Sequence, residues 1–158
     1  MEAGDVTMVD VLVRPTVSRL LAPRLRRAIA ARLRAAMRLL GRSRSQVALL
    51  FTDDDEIREL NRTYRKLDRA TDVLSFHQRE LRGETDPAGD GIFLGDIVIS
   101  VETALRRGRG KRLPGELARL AIHGLCHLFG HDHQRAKPAA AMRKLENRLL
   151  RQSRARAR

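Results

Sequence analysis

The chain has 158 residues, is 42% hydrophobic and only 3% aromatic, and carries a net charge of +13, nearly all of its cations being arginine. That length suits one domain with a real core, built here mainly from Leu, Val, Ile and Ala. Its single cysteine, Cys126, excludes an internal disulfide, and no apolar run approaches the roughly 20 residues a membrane span needs. Residues 1–5 do not read as a secretion signal, so a cytoplasmic protein without membrane contact is expected. The basic charge suits a polyanion such as RNA. A GC-rich coding sequence would also enrich Arg and Ala together, as in residues 30–36.

Val6 to Val13 alternates and is rich in valine, the pattern of a strand that Pro15 ends. A helix follows from about Pro23. Leu25, Ile29, Leu33, Met37 and Leu40 step along one apolar stripe, and Gly41 closes it. Arg24, Arg27, Arg34 and Arg38 fall off that stripe, as a solvated face or an RNA-facing surface; the spacing favours the solvated face. Val47 to Phe51 has strand length. Asp53 with Glu56 is a helix start of the capping-box kind, for a helix that turns Ile57 and Leu60 inward and ends near Tyr64.

Val73 to Phe76 predicts a short strand, and 80–91, rich in glycine and acids, a surface loop. Gly95 to Val101 predicts a fourth strand leading into a short helix to Arg107. A basic connection, 108–112, precedes a helix started by Pro114. A last helix opens at Pro138 and buries Met142, Leu145 and Leu149; the basic tail, about 151–158, should fray. No repeat or linker interrupts this order. It predicts one α+β domain over 1–158, a mixed sheet of about four strands packed with helices, and a buried central helix carrying metal ligands.

That central helix holds the chemistry. Residues 114–122 show little polar surface, with Leu117, Leu120, Ala121 and Ile122, and Gly130 is a natural stop. His123 and His127, four apart, share one helix face, and His133 lies just past Gly130, where the chain can turn back beside it. Three imidazoles in an H-x3-H-x5-H pattern make an open metal site with a fourth position for water or substrate. Zinc is the first candidate, and nickel, cobalt and copper also accept imidazole. The competing reading is a solvated histidine cluster at a helix end. Zinc proteases of the H-E-x-x-H type place a glutamate after the first histidine; Gly124 stands there, so that general base is missing. Asp132 either orients a histidine or caps a turn. Cys126 reads as a small core residue.

The stretch from His123 to His133 resembles the H-G-x-x-H-L-x-G-Y-D-H signature of the YbeY family, metal-dependent endoribonucleases of rRNA maturation. It agrees at His123, Gly124, His127, Leu128, Gly130, Asp132 and His133. Leu60 to Arg65, continuing through Asp68 to Thr71–Phe76, resembles the family's L-N-x-x-Y-R-x-x-D-x-x-T-D-V-L-S-F block, and Leu94 to Ser100 its L-G-D-I-x-I-S strand. The resemblance spans roughly residues 45 to 135. It implies that His123, His127 and His133 ligate the metal, one zinc per chain or another divalent transition metal, and that Arg65 is the active-site arginine. Three positions depart from the pattern. His131 stands where tyrosine is usual and is not expected to bind, because its spacing from His127 repeats helix geometry only if the helix runs through Gly130. His77 replaces a proline, which leaves the course of that loop open, and Cys126 a leucine.

The resemblance further implies a single-strand-specific endoribonuclease of rRNA processing and ribosome quality control, with small-subunit rRNA, ribosomes and ribosome-associated proteins as partners. By sequence alone Arg65 is equally a structural partner of Asp68 or Asp72. Two other classes stay open. One is a metallohydrolase of another substrate such as peptides, which Gly124 argues against. The other is a ribosome-assembly factor whose structural metal takes a fourth ligand from His131, His77 or Cys126.

Overall fold

The computed structural model describes residues 4, 6–78, 93–108, 112–132 and 139–157, the side chains of 131 and 132 excepted. Four strands, β1 (Met8–Val13), β2 (Gln46–Thr52), β3 (Val73–His77) and β4 (Phe93–Ser100), form one sheet in the order β1-β2-β4-β3. β1, β2 and β4 run parallel and β3 antiparallel to β4, giving the expected mixed sheet. The helices are α1 (Pro23–Leu39), α2 (Asp54–Arg65), α3 (Val101–Arg107), α4 (Leu113–Asp132) and α5 (Ala139–Arg156), with a 3-10 turn at Pro15–Leu20 that the sequence reading did not separate. None of the described helices is long and apolar enough to cross a membrane.

Side-chain alternation along the strands divides the core in two. Val47, Leu49, Phe51, Ile97 and Ile99 face α1, α4 and α5 in the main core, while Leu74, Phe76 and Val98 meet Ile57 of α2 on the opposite face. The α1 stripe packs as its spacing predicts: Ile29, Leu33 and Met37 are buried, Leu25 and Leu40 half-buried. α4 is the most enclosed helix. Leu117, Leu120, Ala121, Ile122, Leu125, Cys126 and Leu128 are all at most 1% exposed, which places Cys126 in the core as expected.

The start of α2 follows half of its capping signature. Asp53 Oδ1 accepts from the Glu56 backbone N–H at 2.9 Å. The Glu56 carboxylate instead takes the Thr52 hydroxyl at 2.5 Å and Arg14 Nε at 3.0 Å, tying the 3-10 turn to β2. Gly95 sits where β4 slips register against β2, at φ +147°, and a Cβ there would lie 2.2 Å from the Phe76 carbonyl oxygen. Only glycine fits both constraints.

Three sequence expectations need correction. α4 does not stop at Gly130 but continues to Asp132; the Gly→Ala cost within a helix, about 1 kcal/mol, is too small to end one packed this firmly. β3 extends through His77, which pairs with Gly95, so the strand runs one residue past the expected end at Phe76. The tail does not fray at 151: α5 runs to Arg156, held by Ser153, which is fully buried. The expected surface loop over 80–91 lies outside the described residues, as does most of the basic connection 108–112.

Candidate active site

His123 and His127 project from one face of α4, as the four-residue spacing requires. Their Nε2 atoms are 3.0 Å apart. Two nitrogens bound to one tetrahedral zinc would be about 3.3 Å apart, so the pair needs little adjustment to share an ion. The other nitrogen of His123 is already engaged: Nδ1 lies 2.5 Å from Glu146 Oε1 on α5. A carboxylate accepts from Nδ1, and in the neutral ring that leaves Nε2 as the nitrogen that can bind a ligand. The two Nε2 atoms therefore fit a shared metal ion in spacing and direction. Among the described residues no group of three or more His, Cys, Asp or Glu side chains could hold an ion; the third candidate, His133, lies outside them.

Glu146 was not singled out from the sequence. Its one signal was a carboxylate next to Leu145 on the apolar stripe of the last helix; nothing local connects it to a histidine 23 residues earlier. His131 stands four residues beyond His127 on a helix now seen to be continuous, so the geometric reason for setting it aside does not hold. Its side chain, like that of Asp132, is not among those described.

Gly124 explains why the protease glutamate is missing. A Cβ at this position would lie 2.7 Å from Ile97 Cγ2 and 3.0 Å from Ser75 Oγ. α4 is pressed onto the sheet here, and no side chain fits between them. The same contact gives a hydrogen bond, with Ser75 Oγ donating to the Gly124 carbonyl at 3.1 Å.

Ser75 also seats Arg65. Arg65 ends α2, and its Nη2 donates to the Ser75 carbonyl at 2.7 Å while its Cζ lies 4.9 Å from the centre of the Phe76 ring. Two hydrogen bonds thus link the guanidinium to the α4 backbone beside His123. The turn that aims Arg65 is clamped by Asn61, a buried amide whose Nδ2 donates to the Arg69 carbonyl at 3.0 Å, and by Lys66 in the left-handed conformation at φ +61°. The carboxylates proposed as structural partners of Arg65 are held by other arginines, Asp68 by Arg58, and Asp72 by Arg107 with Arg119 beyond it.

The family model described as endoribonuclease YbeY matches residues 18–154. The chain belongs to the YbeY family. The endoribonuclease YbeY of Anaeromyxobacter dehalogenans is 45% identical over 119 residues, 74% of this chain and 58% of that protein. The YbeY of Myxococcus xanthus is 48% identical over 108 residues, 66% of this chain and 35% of that protein. That of Aquifex aeolicus is 44% identical over 118 residues, 73% and 75% of the two chains. The match thus spans only part of the first two relatives' own length. A solution structure from Thermotoga maritima shares the fold, with a TM-score of 0.57 and 24% identity over 92% of this chain and 89% of that one. The stretch matched to the YbeY family contains Arg65, His123, His127 and His133 and begins after β1.

Proposed function

We propose that this chain is a metal-dependent endoribonuclease that cuts single-stranded RNA, acting in the cytoplasm on small-subunit rRNA during maturation and ribosome quality control. The observation that carries this reading is the His123–His127 pair, Nε2 to Nε2 3.0 Å, with its first member fixed by Glu146. Family membership supplies the reaction class and the RNA substrate. The net charge of +13 is consistent with that substrate.

His123, His127 and His133 are the residues that would hold the ion, with zinc the first candidate. Once bound, a divalent metal supplies Lewis-acid polarisation of a phosphoryl oxygen and acidifies water. The chain's own groups do the rest. Glu146 keeps the His123 ring from rotating and favours the neutral tautomer with its proton on Nδ1, which turns Nε2 to the ligand side. Arg65 offers a cationic fork of N–H donors, oriented by Ser75 and Phe76, to the negative charge that builds on the phosphorus oxygens as the attacking oxygen adds. The attacking group is either water or the substrate's own 2′-hydroxyl. Gly124 leaves no carboxylate at the position where a zinc protease carries its base, which disfavours peptide hydrolysis.

The test is cleavage of an end-labelled single-stranded RNA by the wild type, Arg65→Ala and His127→Ala, with bound metal measured on each. The expected result is cleavage by the wild type alone, with metal retained in Arg65→Ala and lost from His127→Ala. Equal cleavage by all three would mean a contaminating nuclease. Silence of metal-loaded wild type on both free RNA and small ribosomal subunits would replace this reading with that of an assembly factor.

A further inference from the structure

We infer that the groove between β1 and α1 is a docking site for an extended, acidic segment of a partner protein, which adds to the sheet as a fifth strand beside β1. This does not rest on the ribonuclease reading and involves none of the residues assigned to it. Among the described residues β1 is an edge strand, paired only with β2. The backbone N–H groups of Val6, Met8 and Arg14 donate to the carbonyls of Ser43, Ser45 and Phe51. Strand alternation therefore turns the N–H and C=O of Val9, Val11 and Val13 away from β2, toward the open edge. No proline or lysine in Met8–Val13 blunts that edge, and its one charge, Asp10, belongs to the other set of residues and accepts from Gln46.

The side chains of Val9, Val11 and Val13 form the apolar wall of a groove of about 420 Å³, whose other wall is α1 with Arg27, Ala30 and Arg34. Arg26, also at the groove, is used up structurally: Nε donates to Leu21 O at 2.8 Å and Nη2 to Ser18 O at 3.1 Å. Arg27 and Arg34 make no hydrogen bond or ion pair among the described residues. They stand two turns apart on one face of α1, about 10 Å along the axis. Same-face residues of an added strand recur every 6.8 Å or so, so acids two or four positions apart lie within reach of both guanidinium groups.

The chemistry selects a peptide over RNA. The free edge alternates donors and acceptors, which complements a peptide backbone, whereas phosphate oxygens only accept and would meet the Val carbonyls unfavourably. The wall is aliphatic, and among the described residues no aromatic ring lines the groove to stack a base. A second copy of this chain is disfavoured by charge, because edge-to-edge pairing of two β1 strands would set Arg27 and Arg34 of each copy against the other's. Strand addition with acidic side chains meets both the edge and the arginines.

The probe is a fluorescein-labelled nine-residue peptide of alternating valine and glutamate, titrated with the full chain by fluorescence anisotropy. An alternating valine–lysine peptide and a labelled single-stranded RNA of equal length run alongside. We expect the acidic peptide to bind and slow amide exchange at Val9, Val11 and Val13, and the lysine peptide not to bind. Arg27→Glu with Arg34→Glu should weaken the acidic peptide by about tenfold, the size two partly exposed ion pairs contribute. Val11→Pro removes a free-edge N–H without touching the β1–β2 ladder and should weaken it as well, with an unchanged circular dichroism spectrum. Failure of wild type to bind the acidic peptide, or binding that neither variant weakens, would overturn the inference. RNA binding lost on charge reversal, with no peptide binding, would make the groove an RNA face instead.

Discussion

Glu146 on α5 accepts a hydrogen bond from His123 on α4, Nδ1 to Oε1 2.5 Å, across the packing of two helices. The carboxylate is largely enclosed, with 15% of its side chain exposed, so its direction is set by α5 rather than by water. Removing it frees the His123 ring to rotate and to change tautomer. Glu146→Ala should lower zinc affinity about 10- to 100-fold. Competition with a chromophoric chelator measures this without reference to activity. Unchanged affinity in a folded variant would reduce Glu146 to a helix-packing residue.

Gly124 sets how closely α4 approaches the sheet. Gly124→Ala brings a methyl group to 2.7 Å from Ile97 Cγ2 and 3.0 Å from Ser75 Oγ, and both neighbours are parts of packed strands. Overpacking of this kind costs about 1–3 kcal/mol. For a chain of this length the thermal midpoint should fall by roughly 3–10 °C. A midpoint equal to that of the wild type would show that the helix lifts away at no cost.

Arg65→Lys separates charge from geometry. Lysine keeps a cation but loses the planar fork that spans Ser75 O and the Phe76 ring. Cleavage should fall about 100-fold or more, with metal content unchanged and the thermal midpoint within a few degrees. Retention of full activity would mean that only a point charge is needed there.

The acid side of the stability profile should depend on the start of α2. The Glu56 backbone N–H and the Thr16 hydroxyl hold the Asp53 carboxyl below its usual range. Burial pushes Asp54 up, but hydrogen bonds from Ser100, Thr103 and Arg106 outweigh it and leave Asp54 lowered too. A carboxylate with a lowered folded pKa contributes stability above the unfolded value of about 4, and that stability is lost as pH falls through the folded value. Asp53→Ala should cost about 1 kcal/mol at pH 7, a cap's usual worth. Its difference from wild type should shrink below about pH 4. Urea unfolding at pH 7 and pH 3 checks this; a difference that does not change with pH would place the effect in the Thr16 contact alone.

Much of the molecule could be read in one dimension because its information is periodic or local. The α1 stripe from Leu25 to Leu40, the valine alternation of β1 and the Asp53 cap depend on neighbours within a few residues. Gly130 misled because helix propensity is a weak local term, too small to end a helix whose preceding turns are buried. The tail misled for the same reason: a run of arginines reads as solvated, yet Ser153 and Leu149 pack the helix down.

The sequence by itself determined the order of most elements and the placing of His123 and His127 on one helix face, since four residues on a helix return to the same face whatever surrounds it. Only the tertiary structure decided that β3 reverses at the edge of a parallel sheet, that Ser75 joins Arg65 to α4, that Glu146 meets His123, and that half-buried Val9, Val11 and Val13 line a groove beside two arginines. Those relations join residues far apart in the chain. Their distances follow from how helices and strands pack against one another, which no local pattern encodes.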